Sequence, residues 1–495
     1  MVSSLTTNGL KKQLENWNQI KWKQINKLIR NLRQRIFRAR KLGDFRKLRN
    51  LQKLMQRSYA NLLLSVRRIT QTNQGKATAG IDKEIINTPE QRVNLVNNWN
   101  GGNLKPTRRV EIPKPNGKKR PLGIPTVRDR IEQAIVLNAL EPEWEAVFEQ
   151  NSYGFRPGRS CQDAIEQSFN LLSRWHNWVL EADIKGFFDN IAHESILNMV
   201  SNFPKRELIK GWLKAGFVFQ GYLNPTEQGT PQGGVITATS EGTPQGGVIS
   251  PLLANIALHG LEERIKREFP EMSYSGKETW FHKKGVEFKT PNIIRYADDF
   301  VILHEDKTVV QRCREIVSEW LKGIGLELKP DKTRLTHTFH PELSEDGIAG
   351  FDFLGHHIQQ YPAGKYRSNK NAQGTLLGFN TFIIPSQKSS KAHQEKIRRI
   401  ILKHRSSPQS AIIKDLNPVI RGWTSFYSKS DAQTVGELSK QDHLIYLKLR
   451  RWAKRRCGNI NDGHIKYWTT IGGDNWVFAT REGNANPLRL LKHKE

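Results

Sequence analysis

Two acidic stretches of the chain have the residue types and the setting that phosphoryl-transfer chemistry requires. In NIIRYADDFVILHED, two β-like runs flank Ala297, Asp298 and Asp299, so a tight hairpin would present both aspartates at its tip. In WVLEADIKGFFDNI, a β-like run delivers Asp183 at its end, just before Gly186 turns the chain. If the two strands are neighbours in one sheet, the three carboxylates converge, and a cation becomes nearly obligatory.

Magnesium is the cation that this grouping favours. Transfer of a nucleotidyl group from a nucleoside triphosphate needs divalent ions that neutralise charge on the attacking and leaving oxygens. Hard Mg²⁺ prefers carboxylate oxygens and keeps several of its waters. Taken singly, an Asp-Asp pair in a turn is more often solvated than catalytic, and a strand-end aspartate is commonly a helix cap. The combination of the two stretches favours a catalytic site.

The charge of the chain indicates a polyanionic partner. The 495 residues carry a formal net charge of +30 with a pI near 10.0. Self-repulsion of this size opposes compaction unless a polyanion offsets it, and nucleic acid is the favoured candidate. A hydrophobic content of 37% is enough to form buried cores, so we expect several folded domains rather than a disordered chain.

Other classes of protein are disfavoured. No run of about 18 apolar residues is present to span a bilayer, and the N-terminus lacks the apolar core of a signal peptide. No membrane partner and a cytoplasmic location are therefore expected. Three cysteines stand far apart without a CxxC pair, so the sequence predicts neither a disulfide framework nor a clustered zinc site.

Helical periodicity marks both ends of the chain. Residues 17–68 predict two basic amphipathic helices with a break at Gly43 and Asp44. Acidic residues are nearly absent there, which favours phosphate contact over a merely solvated face. A second helical period runs over 412–427 and 438–456 and ends in the basic segment LRRWAKRR. The apolar positions of the first region are Ile25, Leu28, Ile29, Leu32 and Ile36.

Between these ends, at about 105–360, short β-like runs alternate with helical patterns, which is typical of an α+β domain. The segment GTPQGGVI occurs twice, at Gly229–Ile236 and at Gly242–Ile249, an offset of 13 residues. Two copies at so short a spacing indicate a local tandem duplication rather than a solenoid.

Seven motifs along this region resemble, in order and spacing, the fingers and palm motifs of group II intron reverse transcriptases. A further segment, LNPVIRGWTSFY at 416–427, resembles their maturase or thumb helices. The seven are IPKPNGKKRPLGIPTVRDR at 112–130, NSYGFRPGRS at 151–160, EADIKGFFDNI at 181–191, GTPQGGVISPLLANIALHGLE at 242–262, RYADDFVIL at 295–303, LELKPDKTRL at 326–335 and FDFLG at 351–355.

The resemblance implies roles for the acidic residues. Asp183 and Asp298 look like the direct metal ligands and Asp299 like the third acid, while the carbonyl of Ile184 completes the coordination. The implied cofactor is Mg²⁺, two ions per site, with Mn²⁺ as a substitute. The implied reaction is the addition of deoxynucleotides to a primer 3′-OH on an RNA template.

The resemblance also implies a set of nucleotide-binding residues. Phe188, five residues past Asp183, matches the bulky position that excludes a ribose 2′-OH, so dNTPs are the expected substrates. Lys114 and Arg120 match the fingers cations that grip the triphosphate. Lys332 is a candidate for protonating the leaving pyrophosphate. For these cations a surface charge without a function is the alternative.

The glycine-rich PQGG loop of the family approaches the nucleotide and the primer terminus, and this chain carries two copies. The second copy runs directly into the apolar-periodic SPLLANIALHGLEERI, whereas the first runs into the polar ITATSE. We therefore assign Gln245 rather than Gln232 to the site, with the surplus copy bulging outward. The opposite threading, with the extra loop after Ile236, stays open.

The expected architecture is a right-hand polymerase of class α+β. Its predicted parts are a basic helical N-terminal extension (1–104), fingers and palm (105–384), an all-α thumb or maturase domain (385–460) and a short basic tail (461–495) that is a possible remnant of a DNA-binding region. Nothing after about Trp468 carries the paired cysteines of an HNH-type endonuclease, so either DNA cleavage is absent or the chain was shortened. We read His356 and His357 as structural, and Trp423 and Tyr427 as core.

The implied partners are the group II intron RNA, an RNA template, a DNA primer or target, and dNTPs, in a ribonucleoprotein that supports splicing and retrohoming. Two alternatives remain. One is an RNA-binding splicing maturase that keeps the fold without the polymerase, which the three retained aspartates oppose and the duplicated loop mildly favours. The other is a domesticated reverse transcriptase in repair, defence or a CRISPR system. Phe188 disfavours an RNA-dependent RNA polymerase.

Overall fold

The computed structural model describes residues 13–113, 119–172, 177–230, 248–269, 290–364, 370, 374, 376–432, 436–480 and 487–493. Within these ranges the chain mixes helices and sheets, as predicted. The helices are α1 (Trp22–Lys41), α2 (Phe45–Arg57), α3 (Tyr59–Arg67), α4 (Pro89–Asn97), α5 (Val127–Glu145), α6 (Cys161–Leu172), α7 (Phe187–Asn190), α8 (His193–Met199), α9 (Arg206–Lys214), α10 (Ser250–Ala257), α11 (Leu261–Glu268), α12 (Lys307–Gly323), α13 (Gln387–Lys403), α14 (Gln409–Phe426), α15 (Glu437–Cys457) and α16 (Ile460–Tyr467).

In the described parts of the chain, the strands are β1 (Thr107–Pro113), β2 (Lys119–Ile124), β3 (Trp178–Asp183), β4 (Phe217–Phe219), β5 (Tyr222–Asn224), β6 (Asn292–Tyr296), β7 (Asp299–His304), β8 (Arg334–His337), β9 (Phe351–Phe353), β10 (His356–Pro362), β11 (Phe379–Pro385), β12 (Trp468–Ile471) and β13 (Asp474–Phe478). These strands form four separate sheets, with the orders β2-β1-β4-β5, β6-β7-β3-β8, β11-β10-β9 and β12-β13.

One compact unit comprises Met1–Ser160, Ile184–Glu268 and Glu315–Lys329. Its centre is α5, which is buried on nearly all sides and therefore has no amphipathic pattern. Thr126 caps this helix by accepting a hydrogen bond from the amide of Asp129. Helices α1, α2 and α3 all pack against α5, and the sheet β2-β1-β4-β5 belongs to the same unit.

The N-terminal helices follow the prediction in outline and differ in detail. The break at Gly43 and Asp44 is confirmed, since Asp44 caps α2 by accepting from the amide of Lys47. The second predicted helix is two helices, because Ser58 starts a new one as the N-cap of α3. Leu28 was expected on the buried face but is 45% exposed. The buried stripe of α1 is narrower than its apolar pattern indicated.

Acids on α5 neutralise part of the basic charge of these helices. Arg33 pairs with Glu141, and both guanidinium nitrogens of Arg49 lie 3.0 Å from the Glu143 carboxylate oxygens. Gln52, which is buried, also donates to Glu143 at 2.6 Å. These bonds attach α1 and α2 to the helix that they cover. Two of the arginines that the sequence assigns to phosphate contact therefore have structural partners within the chain.

The second unit comprises Cys161–Asp183, Phe269–Arg314 and Pro330–Glu495. Its main sheet is antiparallel, with β3 paired to both β7 and β8. Val179 and Leu180 are fully buried in this central strand, which explains its apolar run. The acidic end of β3 and the turn before β7 belong to this unit.

The FDFLG segment joins the sheet β11-β10-β9 to the C-terminal helices. After β9, Leu354 and Gly355 take positive φ angles of 50° and 83°. The carbonyl of Gly355 accepts hydrogen bonds from the hydroxyls of Tyr427 (2.9 Å) and Ser389 (3.0 Å). A Cβ atom at Gly355 would lie 3.1 Å from the Ser389 oxygen, so this contact requires glycine. The tight loop thereby anchors α13 and α14.

His356 and Tyr427 are buried in this region, and His356 stacks on Phe426, in agreement with the structural reading of the histidine. Trp423 is only half-buried, and its ring stacks on His393 with centroids 4.7 Å apart.

The C-terminal helices share one apolar core with the residues that follow them. Its members come from α13 to β13, and Leu488, Leu490 and Leu491 pack against it. The boundary predicted between 460 and 461 therefore falls inside a packed unit, because Tyr467, Trp468 and Phe478 belong to the same core. The segment expected to be a short basic tail instead forms α16 and the hairpin β12-β13.

In the portion of the chain that the structure describes, no helix has the length and apolar character needed to cross a membrane.

Candidate functional site

The main sheet brings two of the predicted acids face to face. Strands β3 and β7 are antiparallel, and their register pairs Asp183 directly with Asp299. Side chains of directly paired residues lie on the same face, with Cβ atoms about 5 Å apart. Strands β6 and β7 pair Tyr296 with Asp299 across a two-residue turn of Ala297 and Asp298. The predicted hairpin with an acidic tip is confirmed in its backbone.

The turn that carries Asp298 is strained and internally supported. Ala297 is buried and has a φ of +59°, a left-handed conformation that costs an L-residue roughly 1–2 kcal/mol. Arg295, which is 3% exposed, donates from Nη1 to the carbonyl of Ala297 at 3.4 Å. Backbone strain held in place by its surroundings is typical of functional turns. Sequence reasoning did not identify the supporting role of Arg295.

The acidic cluster changes the titration of Asp299. Burial, together with the charges of Asp298 and Asp183, raises the pKa of Asp299 to about 7, while Lys332 opposes this rise. The same effect places all four groups within one electrostatic cluster. A carboxyl group whose pKa is raised well above its usual value by burial and by like charges is typical of a functional site.

Lys332 supplies the positive charge of this cluster. It ends a short 3-10 helix, Pro330–Lys332, and its ammonium contacts the carboxylate of Asp183. Burial lowers the pKa of Lys332, but the bond to Asp183 and the charges of Asp299 and Asp298 outweigh it and raise the pKa above its usual value. The side chain is therefore protonated at neutral pH.

Next to these residues lies an ion-pair network that the sequence did not reveal. Glu181 in β3 is paired in register with Arg334 in β8, and Arg334 Nε donates to its carboxylate at 2.8 Å. Arg334 also binds Asp346, and the amide of Asp352 donates to Glu181 at 3.3 Å. Burial raises the pKa of Glu181, while Arg334 opposes this change. The network fixes β3 against β8 and β9.

The donor set suits a hard divalent cation, although it is not assembled as a finished metal site. Across the described ranges, no group of three histidine, cysteine, aspartate or glutamate side chains meets the geometry of a metal centre. The available donors are carboxylate oxygens, the ligands that Mg²⁺ prefers. The raised pKa of Asp299 comes first from burial and then from the charges of Asp298 and Asp183, which the nearby Lys332 ammonium opposes.

Two predicted site residues, Ile184 and Phe188, belong to the first unit. Ile184 directly follows Asp183 in the chain, is buried, and forms an isolated antiparallel bridge with Leu328. Phe188 is 3% exposed and lies against Phe155 and Phe187, with ring centroids 5.9 and 5.1 Å away. Its ring is therefore held by packing on two sides.

Both ends of the duplicated segment have defined anchors. Thr230 donates its amide to the carbonyl of Phe188 at 2.6 Å, and Gly229, with a φ of +83°, is so close that a Cβ atom would lie 2.4 Å from the Asp189 carbonyl oxygen. At the other end, the amide of Val248 donates to the Gln133 side chain at 2.8 Å. The first copy thus supplies the entry anchor and the second copy the exit anchor.

The remaining predicted residues have mixed outcomes. Arg120 is partly buried in β2, paired across the ladder with Ile112. Lys114 and Gln245, with the alternative Gln232, lie outside the described residues. Helix α10 begins at Ser250, directly after the second copy, as the choice of Gln245 assumed.

Three protein families match successive parts of the chain. Residues 17–99 match the N-terminal domain of reverse transcriptase, residues 112–358 match the reverse transcriptase (RNA-dependent DNA polymerase) family, and residues 390–468 match the group II intron maturase-specific domain.

Curated relatives agree with these matches. The group II intron-encoded protein LtrA of Lactococcus lactis subsp. cremoris is 31% identical over 457 residues, which cover 79% of this chain and 72% of LtrA. Protein YkfC of Escherichia coli (strain K12) is 33% identical over 60% of this chain and 80% of its own length. Maturase-like protein 1 of Euglena gracilis is 30% identical over 86% of this chain and 80% of its own length.

Among solved structures, a telomerase from Candida albicans aligns with 74% of this chain and 62% of its own, at 11% identity and a TM-score of 0.32. That likeness is too low to bear on the fold.

Proposed function

Since this chain belongs to the group II intron-encoded reverse transcriptases and maturases, and is thus an RNA-directed DNA polymerase with a right-hand polymerase fold, we propose that Asp183, Asp298 and Asp299 form its nucleotidyl-transfer centre. The observation that carries this proposal is the cross-strand pairing of Asp183 with Asp299, one residue after Asp298 in a tight turn. Three acids from two distant segments share one end of one sheet.

Magnesium is the proposed cofactor, with two ions per site and Mn²⁺ as a substitute. Asp183 and Asp298 would hold the ions directly, Asp299 would supply the third acid, and the Ile184 carbonyl would complete the ligand set. When bound, the ions would neutralise charge on the attacking primer hydroxyl and on the leaving pyrophosphate. The charges of Asp298 and Asp183, which add to the effect of burial in raising the pKa of Asp299, support this assignment, because a cation at the cluster would relieve their repulsion.

Lys332 is proposed to act on the leaving group. Its ammonium is protonated and lies among the three acids, where the outgoing pyrophosphate would be released. A protonated lysine at this position can bind a phosphate oxygen and donate a proton to it. Arg120 in β2 is proposed to grip the triphosphate before the reaction, together with Lys114.

Phe188 is proposed to select deoxynucleotides. Packing against Phe155 and Phe187 restrains its ring, so the ring cannot move aside easily. An aromatic face under the sugar leaves no room for a 2′-oxygen. The backbone of the glycine-rich loop, with Gln245 as its assigned side chain, would approach the same nucleotide. The hydrogen bond from Thr230 to the Phe188 carbonyl supports this proximity at the entry of the loop.

The same chain is proposed to bind its host intron RNA for splicing and retrohoming, together with an RNA template and a DNA primer or target. Exposed cations on α1 and α2 and the basic end of α15 provide phosphate contacts without sequence specificity. Residues that form internal ion pairs, such as Arg33 and Arg49, are excluded from this surface.

Primer extension on an RNA template with dNTPs and Mg²⁺ tests the polymerase assignment. Asp298→Ala should lower the rate by roughly 100- to 1,000-fold, the loss typical when one group that stabilises charge at a reacting centre is removed. Asp306→Ala is the matched control. Asp306 follows β7 closely in the chain, and its carboxylate accepts hydrogen bonds from the amide and the hydroxyl of Thr308. Equal rates for wild type and Asp298→Ala would remove the proposed centre.

A further inference from the structure

The C-terminal hairpin contains a β-bulge that projects one large side chain. Strands β12 and β13 pair Thr469 with Val477 and Ile471 with Asp474, with a register shift between the two pairs. One residue of β12 therefore opposes two residues of β13, the second of which is Trp476. A bulge of this kind bends the strand and redirects a side chain. The hairpin lies beyond residue 468, where the matched maturase domain ends.

Trp476 has a backbone conformation that its residue type disfavours. Its φ is +63°, in the left-handed region that glycine adopts readily and that costs other residues free energy. Its side chain is 67% exposed, so burial of the indole does not compensate for the strain. Strain that stability does not explain indicates a function for the side chain.

The indole is the outermost ring of an aromatic ladder. Trp476 contacts the ring of His464, with centroids 3.9 Å apart, and His464 is stacked on Trp468 at 4.8 Å with an interplanar angle of 7°. Trp468 is 4% exposed and belongs to the apolar core, and Tyr446 lies against it at 5.9 Å. The exposed indole is therefore the outer end of this aromatic ladder, and Trp468 at its inner end belongs to the apolar core.

The surroundings of the ladder are basic. Lys466 is exposed on α16, and the charge of Arg450 on α15 acts on His464. Lys492 lies 3.6 Å from Asp474, the acid at the start of β13. An exposed aromatic ring with cations on the neighbouring elements matches a nucleic acid strand with unpaired bases, since bases stack on the ring and phosphates pair with cations.

We propose that Trp476, supported by His464 and Trp468, is a stacking site for an unpaired base of single-stranded RNA, with Lys466, Arg450 and Lys492 contacting the adjacent phosphates. This inference rests on the proposed function in so far as intron or template RNA supplies the strand. It adds a specific base-binding position at Trp476, which lies beyond the matched domain that contains His464 and Trp468. The site does not distinguish one base from another, because every base has an aromatic face that can stack.

Binding of the full-length chain to labelled RNA tests the proposal. Fluorescence anisotropy compares an unstructured single-stranded 12-mer with a 12-base-pair RNA duplex, in the absence of Mg²⁺ and dNTPs. Trp476→Gly should weaken single-strand binding by about 5- to 150-fold and leave duplex binding nearly unchanged. Trp476→Phe should retain most of the affinity. Tyr222→Ala removes an aromatic side chain that is 77% exposed on the other unit's hairpin, and should change neither.

Thermal unfolding separates this function from a structural role. Trp476→Gly should melt at the wild-type temperature or above it, because glycine removes the backbone strain. Unchanged single-strand binding, or equal losses for both RNAs, would overturn the proposal. So would a lower melting temperature, or a change in oligomeric state measured by light scattering without a change in RNA binding. Because binding is measured without metal or nucleotide, failure of the polymerase assignment would not affect the result.

Discussion

Asp183, the last residue of β3, is the direct cross-strand partner of Asp299, the first residue of β7. The pleat of the sheet puts paired residues on one face. The two carboxylates therefore lie close together unless the strand register shifts. Asp298, in the turn, adds a third charge to the cluster. The like charges of this site therefore lower the stability of the protein, and the free energy of unfolding measures this effect.

Removing one of these charges should stabilise the protein without metal. Asp298→Asn relieves repulsion on Asp299, so we expect the free energy of unfolding without Mg²⁺ to rise by about 1 kcal/mol. We also expect the stabilisation that Mg²⁺ gives the wild type to shrink, since a ligand is lost. Thermal unfolding with and without Mg²⁺ measures both effects.

Asp306→Asn is the control, because Asp306 binds Thr308 and is outside the acidic cluster. It should leave the response to Mg²⁺ unchanged. A lower melting temperature for metal-free Asp298→Asn, together with a full Mg²⁺ response, would argue against a metal-binding cluster.

Phe188 should control the choice of sugar. Phe188→Val opens space under the ribose, so the preference for a dNTP over the matching rNTP should fall at least about tenfold. Single-nucleotide incorporation with each substrate gives the ratio. Phe187→Val is the matched control, because Phe187 is as buried as the neighbouring Phe188 and its truncation removes a similar amount of packing. Equal changes in the dNTP preference of the two variants would show that Phe188 has no specific steric role in selecting the sugar.

The duplicated loop should tolerate the loss of one copy. Deleting residues 229–241 leaves a single GTPQGGVI between the entry anchor at Phe188 and the exit anchor at Gln133. Primer extension by the shortened chain should stay within about threefold of the wild type. In the full chain, Gln245→Ala should reduce extension about tenfold, whereas Gln232→Ala should have little effect. The reverse order would assign the site to the first copy, and loss of activity on deletion would make the duplication functional.

Acid should destabilise the unit that contains the C-terminal helices. Burial lowers the pKa of His356 to about 4, against an ordinary value of 6.5. Between those values the unfolded chain binds a proton that the folded chain does not, so the free energy of unfolding falls as pH falls from 6.5 to 4. For one histidine the loss amounts to up to roughly 3 kcal/mol. Burial lowers the pKa of His393 to about 3 and acts in the same direction.

Unfolding curves at pH 7, 6 and 5 test this dependence. His356→Gln should show a shallower loss than the wild type, because the variant cannot take up the proton. His443, an exposed histidine on α15, serves as the control when changed to glutamine. An identical slope in wild type and His356→Gln would contradict the assignment.

Much of this site was predictable because its signals are local. Apolar runs on both sides of Asp298 and Asp299 specify a hairpin, and the run before Asp183 specifies a central strand. The supporting residues were not predictable, because Arg334 meets Glu181 only through strand register. Likewise Arg295 gives no local sign that it holds the turn carbonyl.

In the helices near both ends of the chain, local features were likewise predictable and tertiary contacts were not. The break at Gly43 and Asp44 is a local capping signal and was predicted, whereas the exposure of Leu28 depends on how α1 packs against its neighbours. The packing of Tyr467, Trp468 and Phe478 into the core of the C-terminal helices is a tertiary contact, which the basic composition of the tail concealed.

The proposed mechanism requires that carboxylates hold the catalytic metal ions, and anomalous diffraction can locate those ions. Crystals of the protein with an RNA template, a DNA primer and a non-hydrolysable deoxynucleotide, grown with Mn²⁺, should show two peaks. Both should lie about 2.1–2.2 Å from carboxylate oxygens of Asp183 and Asp298. An ordered nucleotide at the primer end, with manganese peaks that touch neither aspartate, would contradict it.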